Sequence, residues 1–159
     1  MMFRIGFGFD THKLENDREF WLGGIRIPHS KGAIGHSDAD VLIHAICDAL
    51  LGAARLPDIG VQFPDTSDEF NGIDSKILLK KTTKLVFEKG YSIGNIDTTI
   101  VLQRPKISGS IPEMIKTLSE VLSINESQIS IKAKTSEKLG FIGREDGLSA
   151  YAVVLLQES

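Results

Sequence analysis

Residues 35–66 read GHSDADVLIHAICDALLGAARLPDIGVQFPDT, and the rest of the chain folds around this stretch. Val41, Leu42, Ala45, Ile46, Ala49, Leu50 and Ala53 recur at helical spacing, so one helix face belongs in a core. Ser37 followed by Asp40 has the form of a capping box, which sets the helix start at Ser37. Asp40 and His44, one turn apart, are then expected to project from the same side. His36 precedes that cap, where unpaired amides and the positive end of the helix dipole suit an anion. One segment thus offers an anion seat, a histidine and two carboxylates, Asp38 and Asp40. Each of these residues also has a structural explanation: a hydrogen-bonded histidine, a helix cap, a partner for the dipole.

Working outward, Pro57, Gly60 and Pro64 break any helix, so residues 56–72 (LPDIGVQFPDTSDEFNG) read as a long loop carrying Asp58, Asp65, Asp68 and Glu69. Upstream, Phe3 to Phe9 (FRIGFGF) alternates around Gly6 and Gly8 and reads as a strand ending at Asp10-Thr11-His12. On an extended backbone Asp10 and His12 face one side together. Asn16 to Pro28 reads as a hairpin turning at Gly23-Gly24, and Ser30 to Gly35 as a loop. Downstream, a helix capped by Asp74 closes at Gly90, with Ile77, Leu78, Leu85 and Val86 as its expected core stripe. Tyr91 to Leu102 is β-rich, and a turn at residues 103–106 leads to a helix capped by Ser110 with Glu113 three on. Gln128 to Thr135 and Leu148 to Gln157 read as strands flanking a glycine-rich connection. This order predicts a single-domain α+β sandwich over residues 1–159, one mixed or antiparallel sheet with helices on one face.

The chain has 159 residues, enough to bury a sizeable core, and a formal net charge of −3, which points to neither nucleic acid nor membrane as a partner. Attraction for an anionic ligand must therefore be local. The single cysteine, Cys47, lies within the apolar helix, so no intrachain disulfide forms and a reducing cytoplasm is expected. The N-terminal MMFRIGFGFDTHKL lacks the apolar core of a signal peptide, which again favours a cytoplasmic location.

Asp10 and His12 together with His44 make two imidazoles and one carboxylate, the inventory of a catalytic zinc site with one open position. Taken alone, this set leaves open a metal centre and a group of structural hydrogen bonds. The runs FGFDTH, IPHSKG, GHSDADVLIHAICDALLGAA, DIGVQFPDT, NIDTTIVLQRPKI and KAKTSEKLGFIGREDG are more specific. From about residue 2 to about residue 156, in this order, they resemble the 2-C-methyl-D-erythritol 2,4-cyclodiphosphate synthases of the non-mevalonate isoprenoid pathway.

The resemblance implies a phosphorus–oxygen lyase. The 2-phosphate of 4-diphosphocytidyl-2-C-methyl-D-erythritol 2-phosphate attacks the β-phosphorus, closing the cyclic diphosphate and releasing CMP. It implies Asp10, His12 and His44 as ligands of one Zn²⁺ per subunit, and Glu137 as the carboxylate holding Mg²⁺ or Mn²⁺ with the substrate diphosphate. It assigns catalytic roles to His36 and Thr135, with Ser37 beside His36 on the diphosphate. Asp58, Ile59, Gly60, Phe63 and Asp65 are implied at the methylerythritol and phosphate wall. Leu102, Pro105, Lys106, Ala133, Lys134 and Ser136 are implied around the cytidine. A homotrimer with active sites between subunits is implied as well. Its central cavity, able to hold an isoprenoid diphosphate, is lined by Phe9, Phe141 and Arg144. The acid paired with that arginine is Asp146 here, where the family keeps a glutamate. Two other readings of the same residues are a zinc phosphohydrolase and a non-catalytic metal- or nucleotide-binding module. The first would release an open-chain phosphate, and the second would bind zinc without turnover.

Overall fold

A computed structural model describes residues 2–64 and 66–159. Asp65, expected on the phosphate wall, lies outside the described residues. The chain runs β1 (Phe3–Asn16), β2 (Trp21–Leu22), β3 (Ile25–Arg26), β4 (Lys31–Ile34), α1 (Val41–Ala53), α2 (Ile59–Gln62) and α3 (Ser75–Glu88). It continues through β5 (Tyr91–Val101), α4 (Ile111–Leu122), β6 (Ile129–Lys134), α5 (Gly140–Gly143) and β7 (Gly147–Glu158). The main sheet has the order β4-β1-β7-β5-β6, antiparallel except for the β5–β6 pair, and β2 and β3 form a separate hairpin across Gly23-Gly24. The α+β architecture with a mixed sheet is therefore as the sequence predicts.

Small residues on one sheet face let α1 lie flat on it. A Cβ at Gly6 would overlap the Ala49 carbonyl oxygen, and one at Gly8 the Ala45 carbonyl oxygen, so only glycine permits this approach. Ala150 and Ala152 of β7 are buried on the same face. With α3 packed on its other side, α1 is buried nearly all round: Val41, Leu42, Ile43, Ala45, Ile46, Cys47, Ala49, Leu50, Leu51 and Ala53. Periodicity alone assigns it one core face. Burial pushes the Cys47 thiol up to about 12, so it behaves as a small apolar side chain.

The opposite face of the sheet is apolar and exposed. Phe3, Ile5, Phe7 and Phe9 of β1 stand beside Tyr151 and Val153 of β7, with Ile5 73 % and Phe7 62 % exposed. The rings of Phe9 and Tyr151 are 5.1 Å apart.

Several local expectations are corrected. The segment read as a loop over Ser30 to Gly35 contains β4, which pairs with the far end of β1, itself longer than the sequence suggests. The cap of α1 is Asp40, not Ser37, and the Ser37 hydroxyl turns instead toward His44. Asp40 does not share a side with His44. It is fully buried and accepts hydrogen bonds from Gly23 N, Gly24 N and Ile43 N at 2.7–3.1 Å, tying the hairpin to the helix start. His36, ahead of this cap, is exposed and faces the cavity of the candidate site. In α3 the buried positions are Ser75, Leu78, Leu79, Thr82, Thr83 and Val86, while Ile77 is exposed. Ser110 begins α4 without making a side-chain cap. The long loop is broken by the single-turn α2 and a short 3₁₀ turn at Asp68–Phe70.

Candidate metal centre

Asp10 and His12 sit two apart on β1 and point toward the helix layer, where the second turn of α1 delivers His44. Asp10 Oδ2, His12 Nε2 and His44 Nδ1 form a triangle whose three sides are each 3.0 Å. A tetrahedron of bonds of about 2.0 Å has edges of about 3.3 Å, so two imidazole nitrogens and a carboxylate oxygen stand close to one face of such a polyhedron. Among the described residues this is the group of three whose ligand atoms converge in this way. The donor set fits a divalent metal with an open position.

The triad lies in a cavity of about 360 Å³ lined also by Gly35, His36, Ser37, Asp48, Ile59, Gly60, Phe63, Phe70 and Leu78. Burial alone would push the Asp10 carboxyl up, but hydrogen bonds and charge from His12 and His44 outweigh it and hold the group well below the usual carboxylate range. Burial would lower His44, and the bond to Asp10 with the charges of Asp10, Asp40 and Asp38 overcomes it, so its imidazole is pushed up. In the metal-free protein protons and a cation therefore compete for the same nitrogen.

Of the residues the sequence singles out, His36, Ser37, Ile59, Gly60 and Phe63 line this cavity. Asp58 stands at its edge as the N-cap of α2, accepting from Val61 N at 3.0 Å. Ser37 Oγ is 3.0 Å from His44 Nε2. Three residues escaped the sequence reading as parts of the site. Asp48, one turn beyond His44, accepts from Ile59 N at 2.8 Å and so ties the 58–60 segment to α1. Burial, with Asp58 and Asp10 nearby, pushes its carboxyl up. Ser75 Oγ lies 3.1 Å from His44 Nε2 and donates to Asp38, which the sequence reading had left as a dipole partner. The i, i+4 spacing of His44 and Asp48 was a readable signal; the links to Ser75, 31 positions away, were not.

The second group is elsewhere. Leu102 N donates to Lys134 O at 2.9 Å and Lys138 N to Gln103 Oε1 at 3.1 Å, which brings Leu102, Pro105 and Lys106 beside Ala133, Lys134, Thr135, Ser136 and Glu137. None of these lines the cavity around the triad. Asp10, Ala150, Ile100 and Ala133 share one row across β1, β7, β5 and β6. Three interstrand steps of about 4.8 Å therefore separate the groups by roughly 14 Å. Thr135 and Glu137 are exposed, and the Thr135 hydroxyl accepts from Glu137 N at 3.3 Å. Phe141 lies in α5, and Arg144 Nε is 3.0 Å from Asp146 Oδ2, so the shorter acid still makes its ion pair.

Comparison with known proteins places this geometry. Residues 3–157 match the model of the YgbB family. A 2-C-methyl-D-erythritol 2,4-cyclodiphosphate synthase of Bacteroides thetaiotaomicron is 61 % identical over 158 residues, 99 % of each chain. The bifunctional IspDF of Campylobacter jejuni superposes with a TM-score of 0.96 at 39 % identity, covering 99 % of this chain and 43 % of that longer one. A CDP complex of IspF from Plasmodium falciparum gives 0.87 at 40 % identity, covering 99 % and 97 %. Among the described residues no helix is long and apolar enough to cross a membrane. With the match running through β1, α1 and the segments that follow to the end of β7, the chain belongs to the YgbB family, that of the 2-C-methyl-D-erythritol 2,4-cyclodiphosphate synthases.

Proposed function

We propose that this protein closes the cyclic diphosphate of the non-mevalonate isoprenoid pathway. An oxygen of the substrate's 2-phosphate bonds to the β-phosphorus of 4-diphosphocytidyl-2-C-methyl-D-erythritol 2-phosphate, and CMP departs with the electron pair of the broken P–O bond. The observation that carries this reading is the triad, three donors at mutual 3.0 Å in the wall of a cavity, in a chain whose relative binds CDP. Asp10, His12 and His44 would hold Zn²⁺, and Glu137, with the substrate diphosphate, Mg²⁺ or Mn²⁺. These ions supply Lewis-acid polarisation and charge neutralisation to the phosphates.

The protein's own task is then positioning, since both reacting groups belong to one molecule. His36 and Ser37 face the diphosphate across the cavity. Asp58, Ile59, Gly60, Phe63 and Asp65 hold the methylerythritol. The Thr135 hydroxyl donates to a phosphate oxygen as charge develops. Backbone groups of 102–106 and 133–136 take the cytidine.

The two halves meet in a homotrimer, with the triad of one subunit facing the Thr135 segment of its neighbour. The exposed apolar face formed by Ile5, Phe7, Phe9 and Val153 supports such an assembly, because a surface of this kind is costly in water. Phe9, Phe141 and the Arg144–Asp146 pair line the central cavity, which takes an isoprenoid diphosphate. The site of action is the cytoplasm.

A ³¹P NMR time course with the cytidylyl substrate, with and without chelator, tests the reaction. Metal-dependent CMP release with two coupled cyclic-diphosphate signals is expected. An open-chain phosphate beside CMP would make the protein a hydrolase, and absence of turnover with zinc bound would make it a binding module.

A further inference from the structure

His44 can serve as a ligand only if Nδ1 carries a lone pair, which puts its proton on Nε2. Asp10 Oδ2, 3.0 Å from Nδ1, draws the proton the wrong way. On the far side of the ring, Nε2 lies 3.1 Å from Ser75 Oγ and 3.0 Å from Ser37 Oγ. Ser75 Oγ is 2.5 Å from Asp38 Oδ1, and Ser75 N donates to Asp38 Oδ2 at 3.0 Å. Asp38 Oδ1 also accepts from Asp40 N at 3.1 Å.

With Nδ1 given to an ion, the proton sits on Nε2, and the serine contacts can receive it. A carboxylate only accepts, so the Ser75 hydroxyl gives its proton to Asp38 and turns its lone pairs toward His44. The Ser37 hydroxyl accepts from Ala39 N at 3.2 Å and lies 3.2 Å from Ser75 Oγ, so when Nε2 donates, the Ser37 proton turns to Ser75. Both serine oxygens then present lone pairs to Nε2. Ser75 is completely buried and lines none of the cavity around the triad, so it touches no substrate there.

We propose that Ser75, oriented by Asp38, is a positioning residue for the metal site. The chain from Asp38 through Ser75 to His44 holds the histidine as its Nε2–H tautomer, opposes the pull of Asp10, and aims Nδ1 at the ion. Asp38 lies just ahead of α1 and Ser75 opens α3, so the same chain fixes α3 to the ligand-bearing helix. The inference rests on reading the triad as a metal site. Outer hydrogen bonds of this kind typically change metal affinity by about 10- to 100-fold.

The test uses the full-length protein loaded with Zn²⁺ and labelled with ¹⁵N at histidine. Long-range ¹H–¹⁵N NMR reads the Nε2–H of His44, and competition against a chelator reads Zn²⁺ affinity. The wild type shows a protected Nε2–H. Ser75→Ala, which keeps the Ser75 amide bond to Asp38, and Asp38→Asn both speed its exchange. Both weaken Zn²⁺ by about 10- to 100-fold, with the His12 signals unmoved. If both variants keep wild-type exchange and affinity, the inference is overturned even where the melting temperature falls, because Asp38 and Ser75 then only cap a helix. A wild type that binds no Zn²⁺ at the triad overturns the metal reading and this inference with it.

Discussion

The triad and the Thr135–Glu137 segment are both rich in polar groups, yet they are built in opposite ways. Around His44 the polar side chains are tied mainly to partners distant in sequence: Asp10 from β1, Ser75 from α3, and Asp38 through that serine. The side chains of Thr135 and Ser136 bond only within the segment, Glu137 N to Thr135 Oγ1 and Ser136 Oγ to Leu139 O, while longer-range bonds reach its backbone at Lys134 and Lys138, and the side chains are largely exposed. The first region is complete within one chain. The second is an outward-facing edge, which the proposed assembly would cover with substrate and a neighbouring subunit. The same fold thus sets the triad's donors at mutual 3.0 Å and leaves the Thr135 segment roughly 14 Å away.

The comparison is attacked most strongly at His44. His44→Ala is expected to strip zinc, lower kcat by at least about 10³-fold and leave a folded assembly, since several kcal/mol of charge stabilisation are at stake. Metal analysis and size-exclusion chromatography check this, and a variant that keeps its zinc contradicts it. Thr135→Ala should keep zinc and lose about 10²-fold in kcat with KM little changed, the mark of an interaction made in the transition state. A pure KM effect would reassign the hydroxyl to ground-state binding.

Gly8→Ala acts on the scaffold beneath the triad. Its Cβ would overlap the Ala45 carbonyl, so α1 must lift. The expected cost is about 1–3 kcal/mol of stability, read by denaturant unfolding, with weakened zinc binding because His44 rides on that helix. The same substitution at Gly109, where nothing lies near a new Cβ, should change little.

The smallest effect is that of pH on the metal-free protein. His44 is pushed up in the folded state, so its protonation contributes stability that is full below about pH 6.5 and is lost as pH rises through the raised value. Asp10, held down, contributes in the opposite sense and fails only in acid. The melting temperature of the chelated protein should therefore fall as pH rises from about 6.5 through the raised value, while that of the zinc-loaded protein should not. Parallel profiles would show that the triad does not titrate as a unit.

Much of this architecture is written in local pattern. The spacing of Val41 to Ala53, the alternation through Gly6 and Gly8 and the Gly23-Gly24 turn correctly announce α1, β1 and the hairpin, because each needs only neighbours in sequence. The errors arise where a distant partner decides. Ser37 has the form of a cap, but its hydroxyl is drawn to His44, and Asp40 caps instead while binding amides 16 and 17 residues earlier. β4 is four residues long with a glycine, too short to show a period, and exists because the end of β1 pairs with it. The candidate ligands Asp10, His12 and His44 are legible as a residue inventory. Asp48 is readable only as a helical neighbour of His44, and Ser75 not at all, since nothing local marks a buried serine as the partner of a histidine on another helix.

The most direct test of the account is complementation between His44→Ala and Thr135→Ala subunits. Each variant is inactive or nearly so alone. Co-refolded in equal amounts, one subunit supplies an intact triad and its neighbour an intact Thr135 segment, so about one quarter of the sites in random assemblies are whole. Recovery of activity to about that fraction of wild type is the predicted result. Mixed assemblies that form, yet show no activity beyond the separate variants, would contradict a site shared between subunits.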